Sequence, residues 1–154
     1  MPSTGVNDRA EAAHPSRPSI ALALAHWLEQ RLHESVGFCH RGCRLYGLEV
    51  LDAEGLSDDR DTGGAPAARM VFVAEGADVA DALDHPDAKR LLDFDAAAMV
   101  TLEWRMVGAA GPPRPRTFPV RRRARVVEVR TPAGGATVLR FEHEPELVVM
   151  GIAS

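Results

Sequence analysis

The stretch VRRRARVVEVRTPAGGATVLRF, from Val120 to Phe141, decides the fold class of this chain. Apolar and polar residues alternate on both sides of a segment rich in Gly and Pro, which is typical of two antiparallel strands joined by a turn. Four arginines occupy five consecutive positions near the start of the first strand. The stretch therefore predicts a β-hairpin in which one strand carries a dense positive charge.

The register of this hairpin depends on which residues form its loop. A five-residue loop from Thr131 to Gly135 gives the pairs Val129–Thr137, Val127–Leu139 and Arg125–Phe141. A two-residue Gly-Gly turn would instead set Val129 opposite Arg140. Matching of apolar residues favours the five-residue loop, which also predicts a cation–π contact between Arg125 and Phe141.

Three of the arginines form a candidate binding face. Successive side chains alternate between the two faces of a strand, so Arg121, Arg123 and Arg125 project from one side, roughly 7 Å apart. Guanidinium groups at this spacing are suited to a nucleotide or to an acidic protein surface. The alternative is that these arginines are solvated or form ion pairs with Glu142, Glu144 and Glu146.

Outward from the hairpin, the same alternation predicts further strands. They lie in the segments CRLYGLEVLDA, ARMVFVAEG, MVTLEWRMVG and LVVMGIA. The segment ADVADALDHPDAKRLLDFD has a helical composition that is broken near Pro86. Together with an N-terminal helix, these elements predict a mainly β (α+β) fold, either a small antiparallel β-barrel or a curled sheet of about six strands.

The N-terminal helix is predicted from about residue 20 to residue 35. Ser19 is a suitable N-cap, and Gly37 fits the left-handed position that ends a helix. The apolar residues near one face are Ile20, Leu24, Trp27, Leu28 and Leu32, with Arg31 beside them. The opposite, polar face is expected to hold His26, Glu29, Gln30, His33 and Glu34. Residues 1–17 are predicted to be a disordered tail, and residues 18–154 a single domain.

The charge of the chain is unevenly distributed. The net charge is −4, but residues 49–103 carry −10 and residues 104–140 carry +8. The two segments either neutralise each other on one surface or leave the basic one facing an anionic partner. Seventeen arginines against the single Lys89 suggest a bacterial source. No apolar run is long enough to span a membrane and no secretory signal is apparent, so a cytoplasmic location without membrane contact is expected.

A second group of reactive side chains lies in HESVGFCHRGC. His33, Cys39, His40 and Cys43 are all of types that bind metals, but a zinc site normally shows a second pair of ligands. We therefore predict two reduced cysteines, no metal, no cofactor and no catalytic residue. A second hypothesis remains open: a small enzyme or ligand-binding barrel, with a pocket between the helix and the sheet and these four residues at its mouth.

The segment AMVTLEWRM…RTFPVRRRARVVEVRTPAGGATVLRFEHE, from Ala98 to Glu144, resembles the later strands of PilZ domains. These are small bacterial β-barrels, many of which bind cyclic di-GMP. Arg121 and Arg125 have the interval of the family's Arg-x-x-x-Arg motif but lie later in the chain, and Arg41 and Arg44 lie in a more suitable place with a different interval. The stretch DAEGLSDD, residues 52–59, occupies roughly the place of the second motif.

The resemblance implies a regulatory or adaptor module that binds a cyclic dinucleotide or a protein partner. The residue pattern and the resemblance together favour a non-enzymatic binding module that uses Arg121, Arg123 and Arg125. An open sheet edge, or the apolar segment LVVMGIA, could in addition form a homodimer.

Overall fold

A computed structural model describes residues 19–35, 37–38, 41–56, 67–107 and 120–153. Its six strands form one antiparallel sheet in the order β2-β1-β3-β4-β5-β6. They are β1 (Cys43–Val50), β2 (Ala68–Gly76), β3 (Ala96–Val107), β4 (Val120–Thr131), β5 (Gly134–Phe141) and β6 (Val148–Ala153). The prediction of six antiparallel strands is confirmed, whereas the predicted disordered tail lies outside the described residues.

The helices also follow the sequence prediction. They are α1 (Ile20–Ser35), α2 (Val79–Asp84) and a 3₁₀ helix (Pro86–Asp93), so the helical connection is broken at Pro86 as expected. Ser19 accepts a hydrogen bond from the Leu22 amide, and Gly37 has a φ of 62° just after the helix. Among the helices in the described part of the chain, none is long and apolar enough to cross a lipid bilayer.

The sheet is open rather than closed. Within the described residues, β2 and β6 each pair with one neighbouring strand and form the two edges. Of the two architectures that the sequence left open, the unclosed sheet is therefore observed. Helix α1 packs across β4 and β5 on one face, which we call the α1 face, while α2 and the 3₁₀ helix cover β1 and β2 on the other.

The buried stripe of α1 differs from the predicted one at a charged residue. Its buried residues are Ala21, Leu24, Ala25, Leu28, Glu29 and Leu32. The prediction that Glu29 lies on the solvent face is wrong, because its side chain is completely buried against the sheet. Ile20, which was expected on the apolar face, is half exposed. The two alanines complete a regular helical stripe, and that stripe includes the carboxylate.

The hairpin of β4 and β5 has a register that differs by one residue from the predicted one. Its turn is the two-residue Pro132–Ala133, and Thr131 pairs with Gly134. The Thr131 hydroxyl accepts a hydrogen bond from the Ala133 amide and donates one to the Gly134 carbonyl, which stabilises this short turn.

The corrected register changes what Arg125 faces. A shift of one residue exchanges the faces of a strand, so Arg125 lies opposite Arg140 and not opposite Phe141. The predicted cation–π contact with Phe141 is therefore wrong. The Arg125 guanidinium carbon lies instead 4.6 Å from the centre of the Phe38 ring, just beyond α1.

We predict that Gly47→Ala destabilises the fold, because the ring of Phe94 lies directly over the Gly47 α-carbon and would collide with a β-carbon there. Such overpacking costs about 1–3 kcal/mol of unfolding free energy, measurable by urea denaturation. In the background Phe94→Ala the same substitution should cost less, since the ring is gone. Equal costs in both backgrounds would contradict the contact.

Candidate functional site

Arg125 does not belong to an open binding face. Its side chain is fully buried, and Nη1 donates a hydrogen bond of 2.8 Å to Oε1 of Glu29. Arg140, 4 % exposed, donates two hydrogen bonds of 2.7 Å to the same carboxylate, from Nε to Oε1 and from Nη2 to Oε2. We call these three residues the buried ion triad. The triad joins α1 to β4 and β5 in the centre of the molecule.

Two further donors of the triad reach backbone carbonyls at the rim of the core, and Arg140 Nη2 also donates to the Gln30 side-chain oxygen at 3.0 Å. Arg125 Nη2 donates to the Gly37 carbonyl, and Arg140 Nη1 donates to the Pro145 carbonyl at 2.9 Å. Arg125 Nε has no hydrogen-bond partner in the described structure. The end of α1 and the segment after β5 are thus tied to the same charged centre.

The electrostatics of the triad are unbalanced, because one carboxylate faces two guanidinium groups. Burial lowers the pKa of the Arg125 guanidinium, and the adjacent Glu29 carboxylate opposes this effect. A buried pair of charges stabilises a fold only when the geometry is good, and removal of one partner leaves the others uncompensated. We therefore assign Arg125 a structural role.

Arg123, the second predicted site residue, is partly exposed and paired. Its Nε and Nη2 donate to the two carboxylate oxygens of Glu142 at 2.9 and 3.1 Å. Nη2 also donates to the Phe38 carbonyl at 3.2 Å. The neighbouring Arg122 forms an ion pair of 2.8 Å with Glu144. Pairing of this arginine run with Glu142 and Glu144 was the alternative that the sequence left open.

Arg121, the third predicted site residue, differs from Arg123 and Arg125. Its side chain is exposed and has no ion-pair partner among the described residues. It lies on the α1 face past the end of the helix. Trp104, 66 % exposed, lies on the same face because it pairs directly with Arg123 across β3 and β4. The sequence prediction missed this tryptophan, whose position beside the arginines follows only from the strand register.

These residues line a concavity of about 350 Å³, which we call the Trp104 groove. Its lining consists of Trp104, Arg121, Arg122, Arg123, Glu142, His143 and Glu144. Three guanidinium groups face two carboxylates, so the groove has a positive balance. His143 has a φ of 70° in the turn after β5, a left-handed conformation that is uncommon for residues other than glycine. This turn orients Glu142 and Glu144 towards β4.

The cysteine and histidine group is not assembled in the described structure. Cys43 is fully buried in the core under α2, and burial, with a smaller effect of Asp78, raises the pKa of its thiol. His33 is exposed on α1 and makes an edge contact with Phe38. Cys39 and His40 lie outside the described residues. Within the part of the chain that the structure describes, no group of three or more metal-binding side chains comes together.

Packed side chains fill the described space between α1 and the sheet, where the second hypothesis places a ligand pocket. Leu24 and Leu28 are fully buried there, and the triad occupies the adjoining space. Two concavities of the described structure lie elsewhere, at the Trp104 groove and beside the tip of the hairpin.

Comparison with known proteins adds no relative: no known family profile matches the chain, and neither curated proteins nor solved structures give a match.

We predict that Glu29→Gln destabilises the fold by about 3–5 kcal/mol, because two buried guanidinium groups lose their counter-charge. Chemical denaturation followed by circular dichroism measures the loss. The matched control is Glu34→Gln on the exposed side of the same helix, expected within about 0.5 kcal/mol of the parent. If Glu29→Gln does not fold, addition of Arg125→Met should restore folding by removal of one charge. Similar unfolding free energies for Glu29→Gln and Glu34→Gln would contradict the role of the triad.

We also predict an acidic shift at Glu142. Hydrogen bonds from Arg123 lower the pKa of this carboxyl below the ordinary glutamate value of 4.5. A lowered folded-state pKa gives stability that is present above the ordinary value and is lost as the pH falls through the lower one. Titration of side-chain carboxyl signals by NMR should show the shift, and Arg123→Ala should abolish it. Arg122→Ala, which removes the partner of Glu144, should leave the Glu142 titration unchanged.

Proposed function

We propose that this protein is a non-enzymatic binding module, and that an anionic ligand docks in the Trp104 groove. One observation carries the proposal: the exposed indole ring of Trp104 shares a face with the exposed guanidinium group of Arg121, which forms no ion pair with any residue that the structure describes. Neither side chain contributes to the described hydrophobic core. Such a combination is suited to a ligand that is both flat and anionic.

The three predicted binding arginines have different roles in this proposal. Arg121 supplies the ligand-facing charge. Arg123 is fixed by Glu142 and supports the floor of the groove, while Arg125 serves the fold. The proposed contact surface therefore uses fewer of the β4 arginines than the sequence predicted, and it includes part of β3.

A nucleotide fits this groove best. A base stacked on Trp104 gains about 1–3 kcal/mol, and a phosphate can accept hydrogen bonds from the Arg121 guanidinium. The resemblance of residues 98–144 to PilZ domains supports a cyclic dinucleotide and a regulatory role in the bacterial cytoplasm. An acidic protein surface is the alternative partner, and it would need the charge of Arg121 but not the ring of Trp104.

The test is isothermal titration calorimetry with cyclic di-GMP and, separately, with a glutamate-rich peptide. Nucleotide binding should weaken about 10- to 100-fold in Arg121→Ala, as expected for the loss of hydrogen bonds to a charged group. Trp104→Ala should weaken it about as much, and higher salt should weaken it further. In a Trp27→Phe background Trp104 is the only tryptophan, so nucleotide binding should change its fluorescence directly.

The matched control is Arg130→Ala, at the opposite end of β4, where the side chain is 78 % exposed and paired with Glu128. This variant should bind like the parent. Binding of the peptide alone, unaffected by Trp104→Ala, would replace the nucleotide by an acidic protein partner. Binding of neither probe, or equal weakening by Arg121→Ala and Arg130→Ala, would overturn the proposal.

A further inference from the structure

Strand β6 is an apolar edge strand whose side chains are exposed on both faces within the described structure. All six of its described residues are exposed, and the large ones are Val148 (49 %), Val149 (45 %), Met150 (44 %) and Ile152 (59 %). No residue from Val148 to Ala153 carries a charge. Exposed strands of this kind readily pair with another strand, and proteins usually protect them with charges.

The other edge of the sheet is protected in that way. Strand β2 carries Arg69, paired with Glu49 at 2.6 Å, and Glu75, paired with Arg44 at 3.5 Å. Both ion pairs join β2 to β1, so the outer strand presents charge along its length. The two edges therefore differ in charge, and β6 lacks the charged residues that usually keep an edge strand from pairing.

Gly151 provides an independent observation. A β-carbon built at this position meets no atom within 4 Å, and its φ is outside the left-handed region. Neither backbone conformation nor packing within the described chain therefore requires glycine here. Glycine in a strand weakens that strand and often marks the close approach of another backbone.

We infer that the occupant is a second copy of this chain, whose β6 pairs antiparallel with β6 to continue the sheet across a two-fold axis. An isologous contact brings identical surfaces together, which is unfavourable for a charged strand and harmless for an uncharged one. The apolar side chains on both faces of β6 then meet identical apolar side chains of the copy. A single strand from a second copy thus contacts side chains on both faces of β6 along its free edge.

The expected dimer is weak. Four half-exposed side chains supply only part of the roughly 800 Å² that each partner buries in a stable interface. Additional surface adjoins β6 at a concavity of about 510 Å³, lined in part by Gly151, Ile152 and Ala153. The dimer should therefore form and dissociate as the protein concentration changes. The Trp104 groove is lined by β3, β4 and the turn after β5 and includes no residue of β6, so dimerisation and ligand binding can be tested separately.

The experiment is sedimentation equilibrium of the full chain over a range of concentrations. A monomer–dimer equilibrium is expected for the parent. Ile152→Lys should weaken association at least ten-fold, because it places two like charges in the contact, and Met150→Lys repeats the test at the adjacent position. The control is Leu92→Lys, which charges a side chain 88 % exposed on the 3₁₀ helix and should dimerise like the parent. Thermal unfolding checks that each variant is folded.

A parent that stays monomeric throughout the range would overturn the inference, as would equal weakening by Leu92→Lys and Ile152→Lys. Growth beyond two copies would also overturn it, since it would indicate that β6 pairs with β2 of the next molecule in an open chain. A finding that no nucleotide binds in the Trp104 groove would not bear on the dimer, because the two sites are tested separately.

Discussion

The position of α1 on the sheet depends on one carboxylate. Hydrophobic burial holds the helix against β4 and β5, but this force has no direction and would allow the helix to slide or rotate. Glu29 removes that freedom, because its two oxygens accept three hydrogen bonds from guanidinium groups on two adjacent strands. The same carboxylate requires that Arg125 and Arg140 lie side by side, so it also selects the register of the hairpin.

The secondary structure could be predicted where local chemistry determines it. Helix α1 begins and ends where Ser19 and Gly37 indicated, because capping involves residues within one turn of each helix end. The strands follow from alternation and from Gly and Pro between them. The hairpin register could not be predicted from apolar matching alone, because the decisive contact joins Arg125 to a residue 96 positions earlier in the chain. For the same reason Glu29 was assigned to the solvent side.

The candidate site was predicted in part. Pairing of the arginines with Glu142 and Glu144 was one of two alternatives, and the structure shows it for Arg122 and Arg123. The burial of Arg125 and the exposure of Trp104 depend on how β3, β4 and α1 meet. The connection between β3 and β4 includes residues 108–119, whose sequence gives no register for the two strands. A dense run of like charges thus contains a buried, a paired and an exposed member, distinguished only by tertiary contacts.

The two-residue turn of the hairpin has a consequence for how this sequence can change. Surface loops usually tolerate insertions and deletions, and the Pro132–Ala133 tip is far from the triad along both strands. Yet an insertion or deletion there that shifted the pairing of β4 and β5 by one residue would turn the whole of β5 over, since the faces of a strand alternate with every residue. Arg140 would leave the core, and an apolar neighbour would meet Glu29 instead. The tip can therefore vary only in ways that preserve this pairing.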